Sequence, residues 1–302
     1  LSPDTPAAQA AAERRRGIGL ALGAYAVWGL FPLYFRAVGA LPAFELLAHR
    51  VLWAAAFVLG LLGVQRRFAW IAPALADRRV AGRALASALL IGLNWLIYLW
   101  AVARGQVVEA SLGYFINPLV NVLLGAWLLH ERLRPGQWVA TACAAAGVLW
   151  LALHSGGLPW IALGLAFSFA GYGLLRKTST LGPVEGLALE TLLLLPPALL
   201  ALAGLAGAGA THFLQLPLGT QALVMAAGPI TVIPLLLFAA GARRIPFSLL
   251  GFLQYLVPST QLAIGVLLFG EAFGLDRQLG FAAIWLGLVL YSLDERRAAR
   301  LR

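Results

Sequence analysis

The chain has 302 residues, of which 61% are hydrophobic and 11% charged, with a mean hydropathy of +0.86. A soluble domain of this length needs far more polar surface, so most of these side chains must face lipid. The net charge of +10 does not point to nucleic acid, because the basic residues sit in short clusters between apolar runs, as membrane orientation requires. Cys143 is the single cysteine, which excludes a disulfide or thiolate–metal framework within one chain.

Residues 1–16 read as a disordered cytoplasmic tail, with a short interfacial helix at its end as the alternative, and it closes on the basic cluster Arg14, Arg15 and Arg16 with no cleavable signal peptide visible. A bilayer core of about 30 Å takes roughly 20 apolar residues in a helix. Segments near that length recur ten times, at about 17–35, 43–64, 83–103, 107–129, 137–153, 159–175, 184–205, 218–240, 246–269 and 278–293. Breakers mark the joints, among them Leu41-Pro42, Arg134-Pro135-Gly136, Ser155-Gly156-Gly157 and Leu181-Gly182-Pro183. The period-2 alternation of a membrane barrel is absent. Residues 294–302 form a second basic tail.

With the N terminus inside, the basic clusters of both tails fall on the cytoplasmic side. So do those at 66–67, 78–83, 132–134, 176–177 and 243–244, while only Arg36, Arg104 and Arg277 face outward and Arg50 lies within the second segment. A missed helix would reverse the later clusters, so the bias supports both the count and cytoplasmic termini in a bacterial inner membrane. The halves 17–153 and 159–293 match at an offset near ~140 residues: Pro118, Gly125, Glu131 and Gly147 correspond to Pro258, Gly265, Glu271 and Gly287. Each half has five segments, an odd number, so the second inserts upside down. The expected fold is an all-α membrane protein of ten transmembrane helices in two inverted five-helix repeats, an architecture of secondary transporters that work by alternating access.

Charge inside a bilayer is costly and marks function or a tight structural role. Glu45, His49 and Arg50 cluster at the outer end of the second segment, where Arg50 is expected to reach Glu109. They read as a gate or as a clamp. Glu190, in the seventh segment, reads as a lone buried carboxylate with a structural hydrogen bond. Glu131 and Glu271 read as partners of neighbouring loops. Trp28, Asn94 and Asn117 fall near the midplane, with Tyr98, Tyr114, Tyr172, Gln254 and Tyr255 within a few turns. Amides that donate and accept, beside broad aromatic faces with one polar handle, suit a small neutral or zwitterionic substrate. Helix packing is the competing role for each of them. Pro118 and Pro258 sit at equivalent mid-helix positions as candidate hinges. The Gly/Ala-rich stretches 144–147 and 201–209 read as packing surfaces.

His49, His130, His154 and His212 are scattered, and no nucleotide loop, nucleophile elbow or dinucleotide fingerprint occurs. No catalytic residue, metal site or cofactor is therefore assigned, and an enzyme or a channel is the weaker reading. The partners expected are a small-molecule substrate and the lipid bilayer, with protons as a candidate coupled ion. One copy of the chain suffices for transport.

The run from Asn94 through Val102, the run from Glu109 through Leu119, Trp28-Gly29-Leu30-Phe31-Pro32-Leu33-Tyr34, and the run from Glu45 through Arg50 resemble the RarD subfamily of EamA-type transporters. That subfamily belongs to the drug/metabolite transporter (DMT) superfamily and is related to the YddG amino-acid exporters. The resemblance covers nearly the whole chain. It implies a ten-helix basket around a central cavity formed chiefly by helices 1, 3, 4, 6, 8 and 9, and export of small organic solutes. Neutral or aromatic amino acids come first, and drug-like aromatic compounds such as chloramphenicol are the alternative. Because helix 2 is outside that cavity set, the clamp is the preferred role for Arg50.

Overall fold

The computed structural model describes residues 6–39, 41–104, 107–154, 160–270 and 273–300. It is a bundle of helices: α1 (Pro6–Gly29), α2 (Phe31–Val38), α3 (Ala43–Gln65), α4 (Ile71–Ala76), α5 (Arg78–Ala103), α6 (Val107–Trp127) and α7 (Pro135–Leu153). There follow α8 (Trp160–Thr178), α9 (Pro183–Gly207), a 3₁₀ turn (Phe213–Gln215), α10 (Leu218–Ala242), α11 (Phe247–Gln254), α12 (Leu256–Phe269) and α13 (Leu275–Arg300). Among the described residues, seven helices are long and apolar enough to cross a membrane, and the apolar stretch Leu112–Trp127 is a shorter one. The molecule is a multi-pass membrane protein.

Prolines start the helices where the joints were expected. Pro135 and Pro183 open α7 and α9, and Pro42, Pro217 and Pro246 precede α3, α10 and α11. A proline there loses nothing, since the first N–H groups of a helix have no partner within it. Within the first span the same residue makes a break. Pro32 has no N–H for the Trp28 carbonyl, the helix divides at Leu30, and the Gln261 amide of α12 donates to that carbonyl at 3.3 Å. Pro118 leaves α6 unbroken, whereas the span containing Pro258 divides at Tyr255, so the two candidate hinges differ in form.

α3 packs between α9 and α10, α1 packs on α10 and on α11–α12, α8 packs on α5 and α6, α5 on α9, α6 on α11, and α7 on α13. The α7–α13 approach is close, and glycine permits it. A Cβ on Gly147 would lie 2.6 Å from the Gly280 carbonyl oxygen, and one on Gly287 would lie 2.7 Å from the Ala140 carbonyl oxygen. The 201–209 stretch does not share this role. Gly204, Gly207 and Gly209 have open space where a Cβ would stand, so these small residues face away from the bundle.

The tail expected to be disordered is helical from Pro6 onward and continuous with the first span. Its Ala-rich run with Glu13 and the three arginines is a strong helix former. The C-terminal tail likewise continues α13 to Arg300. Arg14 pairs with Glu295, and Arg134 reaches Asp294 at 2.6 Å and Glu295 at 2.7 Å. Arg244 pairs with Glu13, Arg67 with Glu185, and the Glu131 carboxylate accepts the Ser248 N–H at 2.9 Å. All of these ties lie at one end of the bundle. At the opposite end, Arg36 covers the Phe269 ring and His154 lies 3.9 Å from Asp276.

Candidate substrate site

Arg50 projects from the second turn of α3 into a space bounded by four other elements. Its Nε donates to Thr231 Oγ1 of α10 at 2.7 Å, and its guanidinium carbon lies 4.3 Å from the Trp95 ring centre of α5 and 5.8 Å from that of Phe31 in α2. The hydroxyl-bearing rings Tyr34, Tyr98 and Tyr114 are close enough to interact with its charge. These rings continue one another: Phe31 to Phe35 at 5.7 Å, Phe35 to Tyr98 at 6.4 Å, and Tyr98 to Tyr114 at 6.3 Å between centres. Arg50, Phe31, Tyr34, Tyr98 and Tyr114, which come together from four different elements, all keep accessible surface. Together they form a partly accessible cluster of one cation and several aromatic rings.

Of the sequence-predicted residues, Tyr98 and Tyr114 therefore meet in this cluster, joined by Arg50, which the sequence assigns to a clamp. Its expected partner Glu109 has a side chain outside the described residues, as does Glu271. Thr231 and Trp95 were not singled out by sequence. Trp95 follows Asn94 and so points to another side of α5, and Thr231 belongs to no motif.

The amides do something else. Asn94 donates to the Leu165 carbonyl at 2.9 Å and to Ser168 Oγ at 3.0 Å, which binds α5 to α8. Asn117 donates to the Ala166 carbonyl at 2.6 Å, and Asn121 bridges Asn117 and Gln254 at 3.2 and 2.9 Å. This polar seam joins α6 to α8 and α11. A Cβ on Gly251 would meet the Pro118 carbonyl oxygen at 2.6 Å, so the seam lies where two backbones nearly touch. Trp28 packs among Tyr25, Phe169 and Phe238 at 5.4–5.9 Å, Tyr172 stacks on Phe238, and the fully buried Tyr255 lies beside Phe252. Trp28 and Tyr172 belong to one apolar core, and Tyr255 to a second one with Phe115 and Phe281.

Glu45 accepts the backbone N–H groups of His212 and Phe213 at 2.9 and 3.1 Å, and His49 lies 4.0 Å from it and against the Phe213 ring. These contacts tie the 3₁₀ turn to α3. Glu190 is not a lone carboxylate. It accepts from Ser87 at 2.6 Å and faces Arg176 at 3.4 Å, and both members of the ion pair are buried. Arg176, placed at the membrane surface by sequence, is inside the bundle at 3% exposure. Above this pair a cavity of about 600 Å³ opens between α5, α8 and α9, rimmed by Arg78, Arg79 and Arg83. Among the described residues, no group of three or more His, Cys, Asp or Glu side chains is placed to hold a metal ion.

A bundle of membrane-crossing helices around a polar and aromatic interior is the build of a solute transporter, and the profile of the EamA-like transporter family matches residues 15–153. The chain belongs to the RarD group of that family, in the drug/metabolite transporter superfamily. It is 46% identical to an uncharacterized transporter of Pseudomonas aeruginosa, over 96% of this chain and 98% of that one. It is 43% identical to protein RarD of Escherichia coli over 94% and 96% of the two chains. It is also 41% identical to the uncharacterized transporter YojE of Bacillus subtilis over 94% and 96%. A solved crystal structure, 22% identical and covering 93% of this chain and 98% of its own, superposes with a TM-score of 0.66. That likeness speaks for the fold alone. The chain is a membrane transporter of the EamA kind.

Proposed function

We propose that the protein exports small organic metabolites, neutral or aromatic amino acids foremost, by alternating access of two inverted five-helix halves in the bacterial inner membrane. The observation that carries this reading is the cluster around Arg50: aromatic rings and hydroxyls from α2, α5 and α6 converge on one point and keep accessible surface. Rings with polar handles hold a small amphipathic solute without holding a hydrated ion.

The packing supports the two-fold arrangement. Exchanging the halves maps α1 onto α8, α3 onto α9, α5 onto α10, α6 onto α11–α12 and α7 onto α13. The α1–α10 contact then becomes α8–α5, α3–α10 becomes α9–α5, and α6–α8 becomes α11–α12 against α1, and each of these contacts is present. Gly147 and Gly287 also exchange, each against the backbone of the other's helix. The family profile spans residues 15–153, the length of one such half.

A second reading is export of drug-like aromatic compounds. It is favoured by a relative 33% identical to this chain, the chloramphenicol-sensitive protein RarD of Pseudomonas aeruginosa. Purified protein in liposomes, supplied with labelled threonine, methionine, tryptophan, a dicarboxylate and chloramphenicol with and without a pH gradient, decides between them. Saturable, protein-dependent amino-acid uptake is expected, and uptake of chloramphenicol alone would favour the second reading. No movement of any solute through correctly inserted protein would sink both.

A further inference from the structure

The geometry points to Arg50 as the recognition site for a substrate carboxylate, so that the transported class is small aromatic or apolar acids, amino acids among them. This inference rests on the transporter reading above and narrows it. Charge at membrane depth is costly and normally neutralised by a partner. The protein supplies its own comparison: Arg176, at the other end of the interior, is neutralised by Glu190 at 3.4 Å. Arg50 has no such carboxylate among the described residues. Among those residues its compensation is one hydrogen bond to Thr231 and the faces of Trp95 and Phe31, and a cation–π contact is a weak substitute for a counter-charge.

The manner of holding matters more than the charge. Thr231 engages Nε, and Trp95 covers one face of the planar group. Among the described residues no other hydrogen bond is made by the guanidinium, which leaves both terminal nitrogens without an acceptor among them. A guanidinium binds carboxylate through two parallel N–H donors in a fixed fork. Thr231 and Trp95 fix the orientation of that fork and do not use it up. A purely structural tie between α3 and α10 would need only a neutral donor to the Thr231 hydroxyl.

Around the fork, Phe31, Tyr34, Tyr98 and Tyr114 offer ring faces for an apolar or aromatic side chain, and their arrangement along Phe31–Phe35–Tyr98–Tyr114 forms one continuous wall. A single cation beside a wall of rings selects one carboxylate attached to an apolar body. A neutral amide of the same shape leaves the cation unpaired, and an organic cation is repelled by it. The ring faces and hydroxyls accommodate the ammonium of an amino acid without requiring it.

The test uses L-phenylalanine, 3-phenylpropionate and L-phenylalaninamide, which respectively keep both charged groups, the carboxylate alone and the amine alone. Binding is measured on purified full-length protein by ligand-dependent shift of thermal unfolding, and transport by uptake into liposomes. The wild type is expected to bind and move both acids and to bind the amide at least about tenfold more weakly. Arg50→Gln should weaken both acids by about 10- to 100-fold and leave the amide unchanged. Arg50→Lys, which keeps the charge without the fork, should fall between. Thr231→Val, which frees Nε, should cost the acids several-fold through misorientation alone, while leaving the order of preference intact. Size-exclusion profiles in detergent confirm folding of each variant, and Arg50→Lys carries the test where Arg50→Gln does not fold.

Wild-type affinity for the acids in Arg50→Gln would overturn the assignment. So would an equal loss for acid and amide in both Arg50→Gln and Glu109→Gln, the mark of a structural ion pair. Failure of the wild type to bind any acid would overturn it as well. Binding with the expected pattern but no uptake above protein-free liposomes would support the site and sink the transporter reading. Uptake of chloramphenicol indifferent to Arg50→Gln, without binding of acids, would keep the transporter and remove the site.

Discussion

At the scale of single residues, Arg50 and Arg176 show what a sequence reveals of an ionic interior. Both Arg50 and Glu190 stand out in apolar segments, and both were legible as residues that must be compensated. The partner of Glu190 was not. Arg176 lies 14 residues before Glu190 on another helix, across the joint at Gly182-Pro183, and no periodic spacing connects them. A buried pair is sensitive to the loss of one member, because the survivor is left charged without a counterion. Arg176→Met should therefore destabilise the protein by about 3–5 kcal/mol, read as a lowered unfolding temperature in detergent. The double variant Arg176→Met/Glu190→Gln should recover most of that loss, because the remaining Gln still bonds Ser87. A double variant as unstable as the single one would show that the charge of Glu190 is not what Arg176 answers. The amides teach the reverse lesson. Asn94, Asn117 and Gln254 were legible as midplane polar groups, but sequence could not separate a side chain that bonds a neighbouring helix from one that faces substrate, since both roles use the same chemistry.

Among the elements, glycine is the residue whose meaning depends most on place. Gly147 and Gly204 sit in stretches of similar composition, and composition alone read both as packing surfaces. Only the first meets a backbone, with the Gly280 carbonyl 2.6 Å from where its Cβ would stand, while the second meets nothing within 4 Å. Gly147→Val should force α7 from α13 and cost about 1–3 kcal/mol. Gly204→Ala should be neutral or slightly stabilising, because a helix gains from the lost freedom of the unfolded chain. Thermal unfolding of both variants side by side measures the contrast, and equal effects would contradict the described packing. Helix boundaries were legible to within a few residues wherever Pro or Gly marked the joint. The N-terminal extension of α1 was missed because its polarity was read as a lack of structure, whereas Ala, Glu and Arg are good helix formers whatever their surroundings. The break at Leu30 is explained by Pro32, but its repair by Gln261 from α12 depends on tertiary placement and left no local trace.

For the whole molecule, the ion pairs constrain how often the chain crosses. Arg14 of α1 pairs with Glu295 of α13, so the chain enters and leaves the bundle at the same end, which requires an even number of crossings. The end of α7 lies at the opposite end, where Trp150 donates to the Asp276 carbonyl of α13 at 3.1 Å. The proposed inverted pair needs this placement, with an odd number of crossings in the first half and a second half that begins on the other side. The basic clusters that sequence places in the cytoplasm are those knit together at the Arg14–Glu295 end, and Arg36 lies at the other. Cysteine labelling tests this with little background, because Cys143 is the single native thiol and Cys143→Ser removes it. In intact cells, a membrane-impermeant maleimide should modify Leu214→Cys and Leu275→Cys, both at exposed positions of the outer end. Gln65→Cys and Arg297→Cys should react only after lysis. The opposite pattern would turn the molecule over in the membrane, and with it the direction of the positive-inside bias. A split result within either pair would break the even–odd count itself, and the inverted arrangement of the halves would fall with it.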